Sequence, residues 1–344
     1  MLILFAILFV PFASAQDIAP PPESDLPFID LSELQITVPP ADVFLPDVFP
    51  PSSPARVLKK PPSKYDLATI GHRGIGSGMN FYSLEKERNL GKQLSAMADQ
   101  QMVLLEDPVV NEYVNRISQN IALNSDAKVP LTVKIVKQDE VNAFSLPGGY
   151  LYVTTGLLNE ADSEAQIAGV IAHEVAHIAA RHGTRSVSKG ILWTIVLRGA
   201  AVAVPGGRAA QIGSIIGADL GSIMIFAKME RGAEEEADLL AAEYAYAAGY
   251  DPSEYVSFFE HIKVLRKKRL SALGKIFASH PPTESRIAHV QKVIDDYFPD
   301  RDQYLVSTSS FEEVQARMNR LLDRKLAKHE ESNDRPALKK ADRN

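Results

Sequence analysis

The stretch Ile171-Ala172-His173-Glu174-Val175-Ala176-His177 sets two imidazoles four residues apart with a carboxylate between them. On an α-helix, residues four apart share a face with Cβ atoms about 5–6 Å apart, so His173 and His177 can close on one ion. Two nitrogens at that spacing suit zinc. Glu174, one residue on, is turned about 100° round the helix. That puts its carboxylate beside a metal's open position, where a general base belongs. Zinc lowers the pKa of its bound water to about 7, and a carboxylate there takes the proton as the water attacks a carbonyl. The bland alternative is a pair of core histidines hydrogen-bonded to backbone. The helix is apolar through Ile167, Ala168, Val170, Ile171, Val175, Ala176 and Ile178, and buried histidines and a glutamate need partners that a metal would supply.

Catalytic zinc sites commonly use three protein ligands and leave one position for water. The extended pattern H-E-x-x-H-x-x-G-x-x-H would need glycine at Ala180 and histidine at Gly183. His182, five residues past His177, projects onto another helix face. The better candidate lies in Glu234-Glu235-Glu236-Ala237-Asp238, which opens a helix with apolar period Ala237, Leu240, Ala241, Tyr244, Ala245 and Ala248. Glu234 and Asp238 share its face. In this reading Glu234 binds zinc, while Asp238 receives the free N–H of a ligand histidine and fixes its tautomer. Acidic residues also favour helix N-termini for electrostatic reasons alone.

These residues need elements to hold them. Ser163-Glu164-Ala165-Gln166 is a capping box that opens the H-E-x-x-H helix, and Gly183 is expected to close it. Three- and four-residue periodicity begins near Phe81 with Leu84, Leu90, Leu94 and Met97. It resumes after Asp107-Pro108 with Val110, Tyr113, Val114, Ile117 and Ile121. Leu131–Val136 alternates as a strand, and Asn142–Leu146 turns through Pro147-Gly148-Gly149 into Tyr150–Val153. About three strands are expected, the last lying next to the H-E-x-x-H helix.

In these motifs the chain resembles the zinc peptidase family of the CAAX prenyl proteases, the membrane heat-shock peptidase HtpX and soluble periplasmic outer-membrane quality-control peptidases. The resemblance runs from Phe81 to Tyr297. It rests, in order, on Asn142-Ala143-Phe144 with Pro147-Gly148-Gly149, on His173-Glu174-Val175-Ala176-His177, on Glu234-x-Glu236-Ala237-Asp238, and on Ser279-His280-Pro281-Pro282 with Arg286. It implies an α+β, mainly helical, gluzincin-like domain with a small β-sheet next to the active-site helix. It makes Glu234 the third ligand of one Zn2+ and sets Asn142, Ala143 and Phe144 beside an extended substrate. His280 and Arg286 would face the cleft and stabilise the oxyanion; in some soluble members a histidine at this position instead fills the metal's fourth site and holds the enzyme latent. The prenyl proteases and HtpX have membrane spans that this sequence does not show, so a prenylated substrate is not expected. Soluble members often carry helical repeats after the peptidase, where this chain has a charged helix.

Charge and composition narrow the partners. Among 344 residues the formal net charge is -6, so no basic field exists to hold nucleic acid. Without cysteine, thiol catalysis, thiolate metal sites and a cysteine lipid anchor are excluded. Met1–Phe12 is apolar and leads to Ala13-Ser14-Ala15, as in a secretory signal peptide over 1–15, although the usual starting Lys or Arg is missing. A proline-rich linker over 16–63, a peptidase domain over 64–300, a charged helix over 301–330 and a disordered tail over 331–344 complete the expected organisation. The apolar stretches Ile191–Val204 and Ile212–Met229 are broken by charges and by Pro205-Gly206-Gly207, which suits a lid or buried helices better than a membrane span. The expectation is therefore an exported, periplasmic or extracellular bacterial zinc endopeptidase. It would act on polypeptides, misfolded envelope proteins by analogy, with peripheral membrane or outer-membrane assembly contact. The rival is a non-hydrolytic zinc module that binds client proteins as a chaperone does.

Overall fold

The computed structural model describes residues 58–62, 66–202, 229–268, 280 and 283–333. The expected signal peptide, nearly all of the proline-rich linker, most of the apolar 191–229 stretch, Ser279, Pro281, Pro282 and most of the tail lie outside the described residues. A 3-10 turn at Leu67–Thr69 precedes nine described helices and three strands: α1 Leu84–Gln101, α2 Pro108–Leu123, β1 Thr132–Val136, β2 Ala143–Leu146, β3 Tyr150–Thr154, α3 Thr155–Glu160, α4 Glu164–Ala179, α5 His182–Val202, α6 Arg231–Ala247, α7 Ser253–Lys268, α8 Glu284–Tyr297 and α9 Ser309–Asn333. This is the α+β, mainly helical arrangement that the motifs imply. None of the described helices is long and apolar enough to cross a membrane.

Helix α4 is the centre. Its N-cap is Ser163, whose hydroxyl accepts from the Gln166 N–H, and every residue from Glu164 to Ile178 is buried. It is enclosed by α2, α6, α7 and β2, with α6 its most extensive neighbour. Both helices bury alanine (Ala168, Ala172 and Ala176; Ala237, Ala241 and Ala245), and small side chains let two helix axes come close. That closeness brings Glu234 level with the histidines. Gly169 serves the same purpose toward α7: a Cβ there would lie 2.7 Å from the Tyr255 Cβ.

The sheet order is β1-β3-β2, with β1 parallel to β3 and β2 antiparallel to it. The expectation that the last strand borders α4 is corrected here. Pairing on both sides makes β3 the central strand, and it is β2 that packs on α4.

The end of α4 also differs from expectation. The helix stops at Ala179, and the left-handed residue is Arg181, at φ 57, instead of Gly183. A non-glycine residue there costs about 1–2 kcal/mol. The Arg181 guanidinium offsets this by pairing with buried Glu87 and donating to the Tyr82 carbonyl at 2.6 Å. The turn swings His182 back beneath α4.

Residues 66–80 have no periodicity, yet they are fastened to the domain. The buried Arg73 side chain pairs with Asp126 at 3.0 Å and with Glu243, and Asp126 also accepts from the Gly71 N–H at 2.7 Å and the Tyr244 hydroxyl at 2.8 Å. At the other end, the Ala165 N–H donates to the Val306 carbonyl at 2.9 Å and the Thr308 hydroxyl to Glu164. The segment before α9 thereby supplies partners to the first turn of α4, which has no intrahelical acceptor for its N–H groups.

Candidate metal and active site

Four buried side chains from three elements converge. His173 and His177 come from α4, Glu234 from the first turn of α6, and His280 from the segment before α8. One donor atom of each lies within 4.8 Å of all the others. The two α4 imidazoles approach through their Nε2 atoms at 3.1 Å. Glu234 Oε2 is 3.6 Å from His173 Nε2, and its Oε1 is 3.7 Å from His177 Nε2. Two nitrogens bound tetrahedrally to one zinc at about 2.0–2.1 Å would stand about 3.3 Å apart, so the separations fit a shared ion.

Hydrogen-bond partners fix which nitrogen of His173 is free. The Tyr255 hydroxyl donates to Asp238 Oδ1 at 2.8 Å and lies 2.8 Å from His173 Nδ1. With its one hydrogen committed, the hydroxyl must accept from His173 Nδ1–H. Asp238 Oδ1 lies 3.2 Å from the same nitrogen. The Nε2 lone pair of His173 is thus left facing His177 and Glu234. His280 Nδ1 lies 2.6 Å from Glu234 Oε1; because a carboxylate only accepts, His280 too carries its hydrogen on Nδ1. Its ring centroid is 4.8 Å from that of His177 and 5.2 Å from that of His173.

The electrostatics fit a cation. Burial opposes charge on His173, but hydrogen bonds to Asp238 and Glu234 outweigh it and carry the imidazole up to about 9, so that without a metal a proton holds the Nε2 lone pair that an ion would take. Burial, together with the neighbouring His173 and His280, holds His177 well below the ordinary range. Glu234 stays ionised far below the usual carboxylate range, because its bonds to His173 and His280 outweigh the penalty of burial.

Glu174 is 1 % exposed. Its Oε2 accepts from the Ser145 hydroxyl of β2 at 2.8 Å, whereas its Oε1 has no hydrogen bond and lies 3.9 Å from His280 Nε2. An unpartnered buried carboxylate oxygen costs about 1–3 kcal/mol or more unless something reaches it, and water or a metal would.

Arg286, expected to face the cleft, lies against the carboxylates of α6. Its guanidinium meets Asp238 through Nε and NH2, both at 2.6 Å, and Glu234 through NH1 at 2.9 Å. Its guanidinium is thus buried against two carboxylates. On β2, Ala143 is fully buried, Phe144 stacks on Tyr152 with centroids 4.7 Å apart, and the buried Asn142 Oδ1 has no hydrogen-bond partner.

Three side chains of this site escaped the sequence reading. Ser145 and Tyr255 reach it from β2 and α7, and neither stands in a pattern that marks it. His182 was set aside because it projects away on a continuous helix, but the break at Arg181 returns its Nδ1 to 2.9 Å from His177 Nδ1.

Residues 108–294 match Peptidase family M48. Over 233 residues, 64% of this chain, the sequence is 29% identical to the Beta-barrel assembly-enhancing protease of Escherichia coli (strain K12) and covers 46% of that protein. It is 34% identical over 158 residues to the Mitochondrial metalloendopeptidase OMA1 of Arabidopsis thaliana, covering 45% of this chain and 30% of that one. With Metalloprotease LoiP of Escherichia coli (strain K12) the identity is 27% over 193 residues, 54% of this chain and 71% of the relative. The chain thus spans about half the length of the first of these relatives.

Proposed function

The chain belongs to peptidase family M48, a family of zinc metallopeptidases, and from that premise we propose that it is a zinc endopeptidase whose metal is held by His173, His177 and Glu234. The observation that carries this is the convergence of those donors, with His280, within 4.8 Å. Zinc held there would supply a Lewis acid for the scissile carbonyl and a water nucleophilic near neutral pH. Glu174 would serve as the general base and would carry the proton to the leaving amine. Its hydrogen bond from Ser145 leaves Oε1 free for the exchange. Asp238, Tyr255 and Arg286 orient His173 and Glu234. The extended substrate adds to edge strand β2 by backbone hydrogen bonds, with Asn142, Ala143 and Phe144 alongside it.

A second reading of His280 is supported by its own position among the donors. As a fourth ligand it would close the site, as in zinc sites with four protein ligands, and would have to move aside for a substrate carbonyl. As a catalytic group it stabilises the oxyanion instead.

The substrates are polypeptides of the bacterial envelope, and the protein acts after export, in contact with outer-membrane assembly. The apolar start of the chain and the similarity to a Beta-barrel assembly-enhancing protease support this. The test is cleavage of unfolded casein, with zinc content measured for each form. Wild type should cleave, and Glu174→Gln should keep its zinc while turnover falls about 10²–10⁴-fold. A faster His280→Ala means a gate; a slower one means a catalytic group. Zinc-loaded forms that never cleave would leave the client-binding module as the function.

A further inference from the structure

A second chain of hydrogen bonds, separate from the one behind His173, runs behind His177. His177 Nδ1 lies 2.9 Å from His182 Nδ1, and His182 Nε2 lies 3.2 Å from Glu236 Oε2. The other oxygen of Glu236 accepts from the Gly76 N–H at 3.0 Å. All three side chains are buried. The order of donors follows from the far end. A carboxylate only accepts, so His182 carries hydrogen on Nε2 and offers a lone pair at Nδ1. That lone pair can meet His177 only as an acceptor of Nδ1–H. The hydrogen so placed leaves the His177 Nε2 lone pair pointing at His173 and Glu234, as a metal ligand requires.

Gly76 is part of the same device. It adopts φ +76, and a Cβ there would lie 2.5 Å from the Ala180 carbonyl oxygen and 2.9 Å from Arg185 Nε. Only a residue without a side chain lets the amide reach Glu236 across the end of α4. Gly76 lies outside the region 108–294 that matches the family.

We infer that His182 and Glu236 are positioning residues that lock the Nδ1–H tautomer of His177, and that the segment before α1 holds this relay through the Gly76 amide. The inference rests on the proposed reading of His177 as a zinc ligand.

Two measurements test it on the full chain. In the metal-free wild type, long-range ¹H–¹⁵N spectra of the imidazoles should show His177 protonated at Nδ1 and bare at Nε2, and His182 the reverse. Hydrogen on His177 Nε2 would overturn the relay. Zinc dissociation constants, from competition with a chelator, should weaken about 10- to 100-fold in His182→Leu. They should recover most of the way in His182→Asn, whose amide oxygen takes the place of the lost acceptor. Thermal unfolding of each metal-free variant controls for loss of fold. Equal zinc affinity in folded His182→Leu and wild type would overturn the relay. A wild type that binds no zinc would instead strike the metal-site reading, and the tautomer spectra would still decide the relay.

Discussion

Helix α6 buries carboxylates at both ends and balances them in opposite ways. At its start, Glu234 and Asp238 join Glu174 around three imidazoles, with Arg286 as the one arginine paired there among the described residues. Some 13 Å along the helix, at about 1.5 Å per residue, Glu243 shares Arg73 with Asp126, and Tyr244 donates to Asp126. Both ends hold more carboxylates than arginines. At the first the surplus faces nitrogen lone pairs, which a divalent cation can use. At the second, the partners found among the described residues are Arg73 and Tyr244, and a proton settles the balance: burial, partly offset by Arg73, pushes the Glu243 carboxyl up to about 7. Buried negative charge alone does not mark a metal site; lone pairs aimed at the same point do.

Three substitutions would sharpen or break that contrast. The largest effect is expected from Arg73→Leu, which strips two buried carboxylates of their arginine and should cost about 3–5 kcal/mol in urea unfolding of the metal-free protein. The folded fraction should bind zinc as wild type does; a loss of affinity would mean the two ends are coupled.

Next comes pH. Glu243 titrates higher in the folded protein than the ordinary 4.5 of the unfolded chain. Its contribution to stability is therefore full below about pH 4.5 and lost as pH rises through about 7. Glu243→Gln should remove that decline. The stability difference between variant and wild type should move in the variant's favour by about 1–3 kcal/mol between pH 5 and 8. A difference that stays constant with pH would show that Glu243 is ionised throughout.

The smallest effect is expected from Tyr255→Phe. Asp238 remains 3.2 Å from His173 Nδ1, so zinc affinity should fall only about 3- to 10-fold, about 1 kcal/mol. A fall beyond about 100-fold would make the hydroxyl, and not Asp238, the main support of that histidine.

The same two ends show what a sequence reveals. The start of α6 was legible because Glu234 and Asp238 stand one turn apart before an apolar period, and because His173, Glu174 and His177 repeat that logic on α4. Arg73 was not, since it sits in a segment without periodicity and its partners lie 53 and 170 residues away. His182 was misread for a different reason: projecting residues at 100° each assumes an unbroken helix, and Arg181 breaks it. The three strands were legible from alternation, but their order was not, because the parallel pairing of β1 with β3 is decided by tertiary packing. Arg286 was recognisable as a site residue, whereas its attachment to Asp238 and Glu234 depends on how α8 lies against α6.

The most direct test of the contrast is calorimetric titration of zinc into the metal-free wild type, Glu234→Gln and Glu243→Gln. One zinc per chain is expected for wild type and for Glu243→Gln with equal affinity, and a loss of more than about 100-fold for Glu234→Gln. Undiminished zinc binding by Glu234→Gln would contradict the account.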